Sequence, residues 1–264
     1  MSTRRDPRTV VLATISGLFI TAAALAVVPA AVVTLFQARR LYARYCSYVA
    51  RVVLRIWNLR VDVHGGPQDG TRQVVYISNH SSTIDLFVLV ALGLPNTRFF
   101  LSGFLQKMVP LGVLAHLMGT FFTVPQNRPD ERRRIFSRAC RILERTRECV
   151  YLSPEGMRIT TGQIGHFNKG AFHLATVLGA PLAPFHIFIP SDIDPGAGYR
   201  AKPGTVVVTF QPLIETRAWR VEDVVANKDC VRDLFVTWHR ELWQEYSHAR
   251  AGSVPARQVA HARA

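Results

Sequence analysis

The sequence predicts an α/β domain, a partly parallel mixed sheet flanked by helices, with a long apolar helix or helical hairpin ahead of it. Three observations carry that reading. From residue 61 onward, short apolar runs of strand length alternate with longer helical patterns, the arrangement that builds a sheet with crossover helices. The stretch from Val10 to Phe36 holds 27 residues without a charge, more than the ~20 needed to cross a bilayer as a helix. The chain of 264 residues is long enough for one sizeable domain with additions at its ends.

The elements follow in order. Arg4, Arg5 and Arg8 precede the apolar stretch, and Arg39, Arg40, Arg44, Arg51 and Arg55 follow it. Two arrangements fit basic flanks on both sides: a single membrane span with the rest of the chain in the cytoplasm, or a hairpin bent near Pro29 that dips into one leaflet. A cleaved signal peptide is disfavoured, because the stretch exceeds a usual signal core and strongly basic sequence follows. Residues 1–9 are thus a basic flank, 10–36 an anchor and 37–60 a basic helix with Leu41, Tyr45, Tyr48, Val52 and Ile56 as its apolar set. Strands are expected at Val61–His64, Val74–Ile77, Cys149–Leu152, Pro181–Ile189 and Val206–Phe210. Helices are expected at Thr83–Leu92, with Ser81 or Ser82 as cap, then at Asp130–Arg147 and Phe172–Leu178. A last amphipathic helix runs from Val221 to Tyr246, with Val224, Val231, Leu234, Phe235, Trp238 and Leu242 on its apolar side. The run Phe99–Phe122, broken by Pro110 and Gly112, reads as core packing or a lipid-facing wall. The main domain spans 61–247, and the polar, basic residues 248–264 read as a disordered tail.

The formal charge is +14, and Lys107, Lys169, Lys202 and Lys228 are the lysines among 32 basic residues. Such a balance implies anionic partners. Nucleic acid is the weaker choice of partner, because the charge accompanies a long apolar segment and no nucleic-acid motif is apparent; a phospholipid membrane surface is the stronger one. Cys46, Cys140, Cys149 and Cys230 have neither C-x-x-C nor zinc-ligand spacing and read as free thiols.

Two motifs carry chemistry. Asn79-His80-Ser81-Ser82-Thr83-Ile84-Asp85 follows a buried strand and enters a helix, a junction where α/β sheets bind ligands. The spacing lets Asp85 reach one imidazole nitrogen of His80, fix its tautomer and stabilise the imidazolium while the other nitrogen takes a proton from a hydroxyl. Ser81 and Ser82 read as caps, because the G-x-S-x-G nucleophile pattern is absent. Ser153-Pro154-Glu155-Gly156-Met157-Arg158 places a carboxylate, an unhindered amide and a guanidinium at a second strand end; the guanidinium suits bidentate binding of phosphate.

This pair of motifs resembles the glycerolipid acyltransferase family, whose 1-acylglycerol-3-phosphate acyltransferases carry H-x-x-x-x-D and P-E-G-[TS]-R. The resemblance covers roughly residues 70 to 190. It implies a glycerophosphate acyltransferase-like fold and transfer of a fatty acyl group from acyl-CoA or acyl carrier protein to a lysophospholipid hydroxyl, with 1-acylglycerol-3-phosphate giving phosphatidic acid. His80 is then the general base, Asp85 its orienting partner, and Glu155, Gly156 and Arg158 the acceptor-binding block. No metal or cofactor is required, since the thioester is already activated. Gly165–Ala171 is similar to the family's F-K-x-G-A stretch, with Asn168 at the first lysine and Lys169 a candidate phosphate contact. Pro181-Leu182-Ala183-Pro184 looks like a further block that forms structural wall. Ser153 and Met157 depart from the family's usual residues. Pro125 stands where many relatives have a phosphate-binding arginine, with Arg128 three residues later as a substitute. The departure admits a different lysolipid or lipid alcohol as acceptor. A non-catalytic protein that binds anionic lipid through basic helices is the reading from another class; it leaves His80, Asp85 and Glu155 without a role.

Overall fold

The computed structural model describes residues 6–194, 196 and 200–253. Arg4, Arg5 and the end of the tail, 254–264, lie outside them. Helix α1, Pro7–Val33, starts with Asp6 accepting from the Arg8 amide and with Pro7 in its first turn, both ordinary start signals. Its mean hydropathy reaches 2.3 over an 18-residue window, and at 27 residues it is about 40 Å long. The helix runs on through Pro29, which corrects the hairpin bend expected there. The chain reverses instead at Thr34–Gln37, where Leu35 and Phe36 both take positive φ (50° and 60°).

Helix α2, Arg39–Ile56, returns alongside α1. Tyr42 meets Thr34, Tyr45 donates to the Ala23 carbonyl at 2.9 Å, and the Trp57 indole donates to Ser16 at 3.0 Å. The expected apolar face of α2 is one residue out of phase. Tyr42, Cys46, Val49, Ala50, Val53 and Leu54 are buried, whereas Leu41 and Tyr48 are exposed. Arg40, Arg44, Arg51 and Arg55 fall on one stripe of the helix and the buried side lies opposite it, so the arginines mark the face that the expected apolar set missed.

Among the described residues, seven strands form one sheet in the order β1-β7-β6-β2-β5-β3-β4. They are β1 Leu59–His64, β2 Val75–Ile77, β3 Thr97–Ser102, β4 Phe121–Thr123, β5 Cys149–Tyr151, β6 Leu182–Phe188 and β7 Gly204–Phe210. All neighbours pair in parallel except β6 and β7, so the sheet is mixed as expected. Strands β2, β5 and β6 are buried along their whole length, the reason their sequences read as continuous apolar runs instead of alternating ones. The apolar stretch 99–122 is no single wall. It supplies β3, α4 (Gly103–Lys107), α5 (Val109–Leu117) and β4.

Helices cover both faces. Helices α1, α2, α3 (Asp85–Ala91) and α5 share one apolar cluster; α6 (Pro129–Thr146), α7 (Gly170–Leu178) and α8 (Val224–Ser253) share the other. A short 3-10 turn at Val221–Asp223 precedes α8, and α8 continues past the expected tail boundary at 248. Val224, Val231 and Phe235 of α8 are buried, while Leu234, placed on the same face from sequence, is 42% exposed. Phe235 is fully buried and packs edge-on against Phe167 and Trp238. Phe235→Ala is therefore expected to lower stability by about 3–5 kcal/mol in chemical denaturation; a loss below about 1 kcal/mol would place α8 outside the core.

Candidate active site

Strands β2 and β5 lie side by side and point the same way, so the loops after them meet at one end of the sheet. The first loop holds His80; the second holds Glu155 and Arg158. Asp85 is the first residue of α3, and its carboxylate folds back over the preceding loop. Its Oδ2 accepts from the Ser81 amide at 2.6 Å, from the Ser82 amide at 2.9 Å and from His80 Nδ1 at 2.9 Å. The Ser82 hydroxyl accepts from the Ile84 amide at 3.0 Å, which tightens the turn ahead of α3; the N-cap of that helix is Ile84, with no side-chain cap bond, so neither Ser81 nor Ser82 caps it as expected. A carboxylate only accepts, so Nδ1 carries the proton and Nε2 keeps its lone pair. Asp85 is buried, with 5% of its side chain exposed against 33% for His80. The base thus faces outward while its orienting partner stays dry.

The sequence assigned Glu155 to acceptor binding; in the structure it lines the cleft beside His80 and ties two loops together. Glu155 is 3% exposed. One carboxylate oxygen accepts from the His80 amide at 2.5 Å and the other from the Gly165 amide at 2.7 Å. Glu155 joins the two loops, and both of its oxygens are taken by backbone. The Ile159 amide donating to the His80 carbonyl at 2.8 Å closes the same junction. Gly156 has φ +66°, and a Cβ there would stand 2.8 Å from Asn168 Nδ2; both facts select glycine. Asn168 donates to the Pro154 and Glu155 carbonyls at 3.1 and 2.9 Å. It splints this turn where the sequence had marked only a missing lysine.

Arg158 is exposed and donates to the Thr83 hydroxyl, so a cation is tied to the loop that carries the base. Arg128 is exposed at the start of α6 and ion-paired with Glu131 at 3.4 Å. Lys169 is exposed just ahead of α7. Among the described residues, no hydrogen bond or ion pair ties Arg128 or Lys169 to His80, Asp85 or Arg158.

Sequence reading missed several supports. Asn79 exchanges two 2.8 Å hydrogen bonds with the Ile187 backbone on β6. The Ser82 hydroxyl donates to Asp194, which also accepts from the Gly196 amide at 2.9 Å. Arg232 of α8 grips the Gly165 and Ile164 carbonyls at 2.7 and 3.2 Å. The motif drew attention to Asn79 and Ser82; Asp194 and Arg232 belong to distant segments with no local signature. His239 and Trp243 of α8 line the cleft beside His80. Behind them burial, with the neighbouring His239, pushes His186 down to about 3, so that wall is uncharged.

Residues 60–188 match the family model Acyltransferase. Over that stretch, just under half of its length, the chain is similar to the acyltransferase family. It is 31% identical over 157 residues to the chloroplastic 1-acyl-sn-glycerol-3-phosphate acyltransferase BAT2 of Brassica napus, covering 58% of this chain and 44% of that one. It is 27% identical over 200 residues to 1-acyl-sn-glycerol-3-phosphate acyltransferase alpha of Mus musculus, covering 71% and 66%. The chain thus spans less than half of the Brassica relative's length. The fold matches the crystal structure of the 1-acyl-sn-glycerophosphate (LPA) acyltransferase PlsC from Thermotoga maritima with a TM-score of 0.64 and 17% identity, over 87% of this chain and 97% of that one.

Burial pushes the Glu155 carboxyl up to about 7, against the pull of the Gly165 and His80 amides. The folded state then holds this proton more tightly than the unfolded chain does, so the contribution of Glu155 to stability falls as pH rises from about 4.5 to about 7. Glu155→Gln is expected to remove that slope and, by leaving one amide without an acceptor, to cost about 1–3 kcal/mol. Denaturation across a pH series reads both. A wild-type slope retained in the variant would contradict the assignment.

Proposed function

We propose that the protein is a membrane-associated O-acyltransferase that moves a fatty acyl group from a thioester, acyl-CoA or acyl carrier protein, to the hydroxyl of a lysophospholipid. The single observation that carries this is the His80 Nδ1 to Asp85 Oδ2 bond at 2.9 Å, which leaves Nε2 as a base in a half-exposed position on the loop to which Arg158 is tied. The acceptor hydroxyl loses its proton to Nε2 as its oxygen attacks the thioester carbonyl carbon. The Asp85 carboxylate stabilises the imidazolium formed. The tetrahedral intermediate then expels the thiolate, which recovers the proton from His80. Ester and thiol are the products, and the base is regenerated.

Arg158 is the group proposed to hold the acceptor phosphate; an arginine forms charged hydrogen bonds to phosphate of about 1.5–3 kcal/mol. The acyl chain is assigned to an apolar pocket that opens along α3 directly after Asp85. Leu86, Phe87 and Val90 line it on one side and Leu101, Leu111 and Met118 on the other. The last three come from the stretch that sequence reading linked to lipid. Helix α1 keeps Leu18, Leu25 and Val32 exposed while its other side packs on α2 and α5. This supports seating in the membrane alongside the domain, with the arginine-rich flanks on the cytoplasmic face.

The acceptor best supported is 1-acylglycerol-3-phosphate, from the names of the relatives. A different lysolipid is favoured by Pro125 and by Arg128 being turned to Glu131. Thiol release from palmitoyl-CoA by the detergent-purified protein, across a panel of lysolipids, tests both readings. Release is expected with lysophosphatidic acid and none with His80→Ala; undiminished release by that variant would overturn the mechanism. Arg158→Ala is expected to raise KM for a phosphomonoester acceptor about ten- to hundredfold with little change in kcat. An unchanged KM would remove Arg158 from the acceptor site.

A further inference from the structure

At the end of the sheet opposite His80, β3 and β5 begin beside an open pocket of about 600 Å³ at the corner between α1 and α2. Its charged lining is Arg39, Arg40, Arg98 and Glu148, with His116 beside them. Arg39 and Arg98 both bond to Glu148, one on each carboxylate oxygen. The three side chains are only 13%, 20% and 10% exposed. Two largely buried guanidiniums therefore share one carboxylate, and Arg40 adds a further positive charge at the rim.

The remaining hydrogen bonds of the pair go to neutral groups. Arg39 donates to the Thr97 carbonyl at 3.2 Å, and Arg98 to the Gly119 carbonyl at 3.3 Å. These bonds fix geometry and leave the charge unbalanced, a costly state for buried ions. Burial, followed by the repulsion of Arg98 and Arg40, holds Arg39 below the ordinary guanidinium value in spite of Glu148. The arrangement is built tightly: at Gly119, φ +73°, a Cβ would stand 2.7 Å from both arginine side chains. An anion in the pocket would restore the balance.

The apolar surroundings indicate which anion. Phe36, Leu41 and Leu117 line the same pocket. Leu35, Phe36 and Leu41 are 73%, 59% and 59% exposed, and they sit where the apolar surface of α1 ends. A ligand with a phosphate head and acyl tails satisfies both parts, the head on the arginines and the tails along α1.

We propose that the α1–α2 corner is a binding site for the phosphate of an anionic phospholipid, separate from the catalytic centre. The phosphate chemistry stands on the arginines alone; the lipid source rests on the membrane association proposed above. Flotation of the full chain with phosphatidylcholine vesicles reads that association. Adding phosphatidylglycerol to the vesicles reads the site, with no dependence on turnover.

The wild-type protein is expected to prefer the anionic vesicles, and Arg40→Gln to lose about tenfold of that preference. Arg44→Gln, one turn along the same exposed face but outside the pocket, is expected to lose under about twofold. Arg40 is exposed, so the variant keeps the core, and unchanged circular dichroism checks this. Equal losses in the two variants, or no preference in the wild type, would overturn the proposal. Titration with inorganic phosphate is the remaining arm. Binding of phosphate that depends on Arg40 and is as tight as that of the lipid would replace the lipid by a free anion.

Discussion

One buried carboxylate oxygen, Asp85 Oδ2, accepts from two successive backbone amides and an imidazole nitrogen, and the geometry of the site depends on it. The two amides wrap the chain tightly at Ser81 and Ser82, so His80 is presented at a fixed angle ahead of α3. The third donor sets the tautomer. Burying a charge is expensive unless it is fully hydrogen-bonded, and hydrogen bonds to an ionised group contribute about 1.5–3 kcal/mol each. The contacts that hold the loop offset part of that cost through Oδ2, while Oδ1 is buried with no hydrogen-bond partner among the described residues. Glu155 repeats the device on the neighbouring loop, binding the His80 amide and the Gly165 amide. Two acidic side chains thus hold one histidine, one through its ring and one through its backbone.

The sheet distributes the other tasks. Its parallel centre brings the loops after β2 and β5 to one end, where the base and Arg158 stand. The helices on one face carry the apolar surface of α1 and the apolar pocket beside α3. Those on the other face carry α8, whose Arg232, His239 and Trp243 close the cleft from behind. The opposite end of the sheet gathers Arg39 and Arg98 on Glu148. Base, apolar pocket and second basic pocket are all set out by one arrangement of strands.

The fold class was legible because central parallel strands produce short continuous apolar runs, and β2, β5 and β6 read that way. The long helices α1, α6 and α8 were legible from hydropathy, charge and periodicity. The stretch 99–122 was not, since its residues are apolar throughout and two short helices and two strands share that composition. The phase of α2 was legible from the stripe of Arg40, Arg44, Arg51 and Arg55 opposite the buried face, whereas the spacing of Tyr45 and Tyr48 pointed one residue away. At the site, the His80–Asp85 pairing followed from spacing alone. The loop-joining bonds of Glu155 were not legible, because sequence shows a carboxylate's presence and not its exposure. Arg128 lies on the surface against Glu131, a local partner that masks any phosphate role. Asp194 and Arg232 act across segments that no motif connects.

The most direct test of this account is the turnover of Asp85→Asn, which keeps the shape of the side chain and removes its charge. An asparagine oxygen can still accept from the Ser81 and Ser82 amides and from His80 Nδ1, but it carries no charge, so the imidazolium formed in the reaction loses its stabilising partner. In other His–Asp pairs such a change lowers kcat about 10⁴-fold. With lysophosphatidic acid and palmitoyl-CoA, a fall of about 10³-fold or more in kcat, with the fold intact by circular dichroism, is the predicted result. A kcat within about tenfold of the wild type would contradict the claim that Asp85 sets the base.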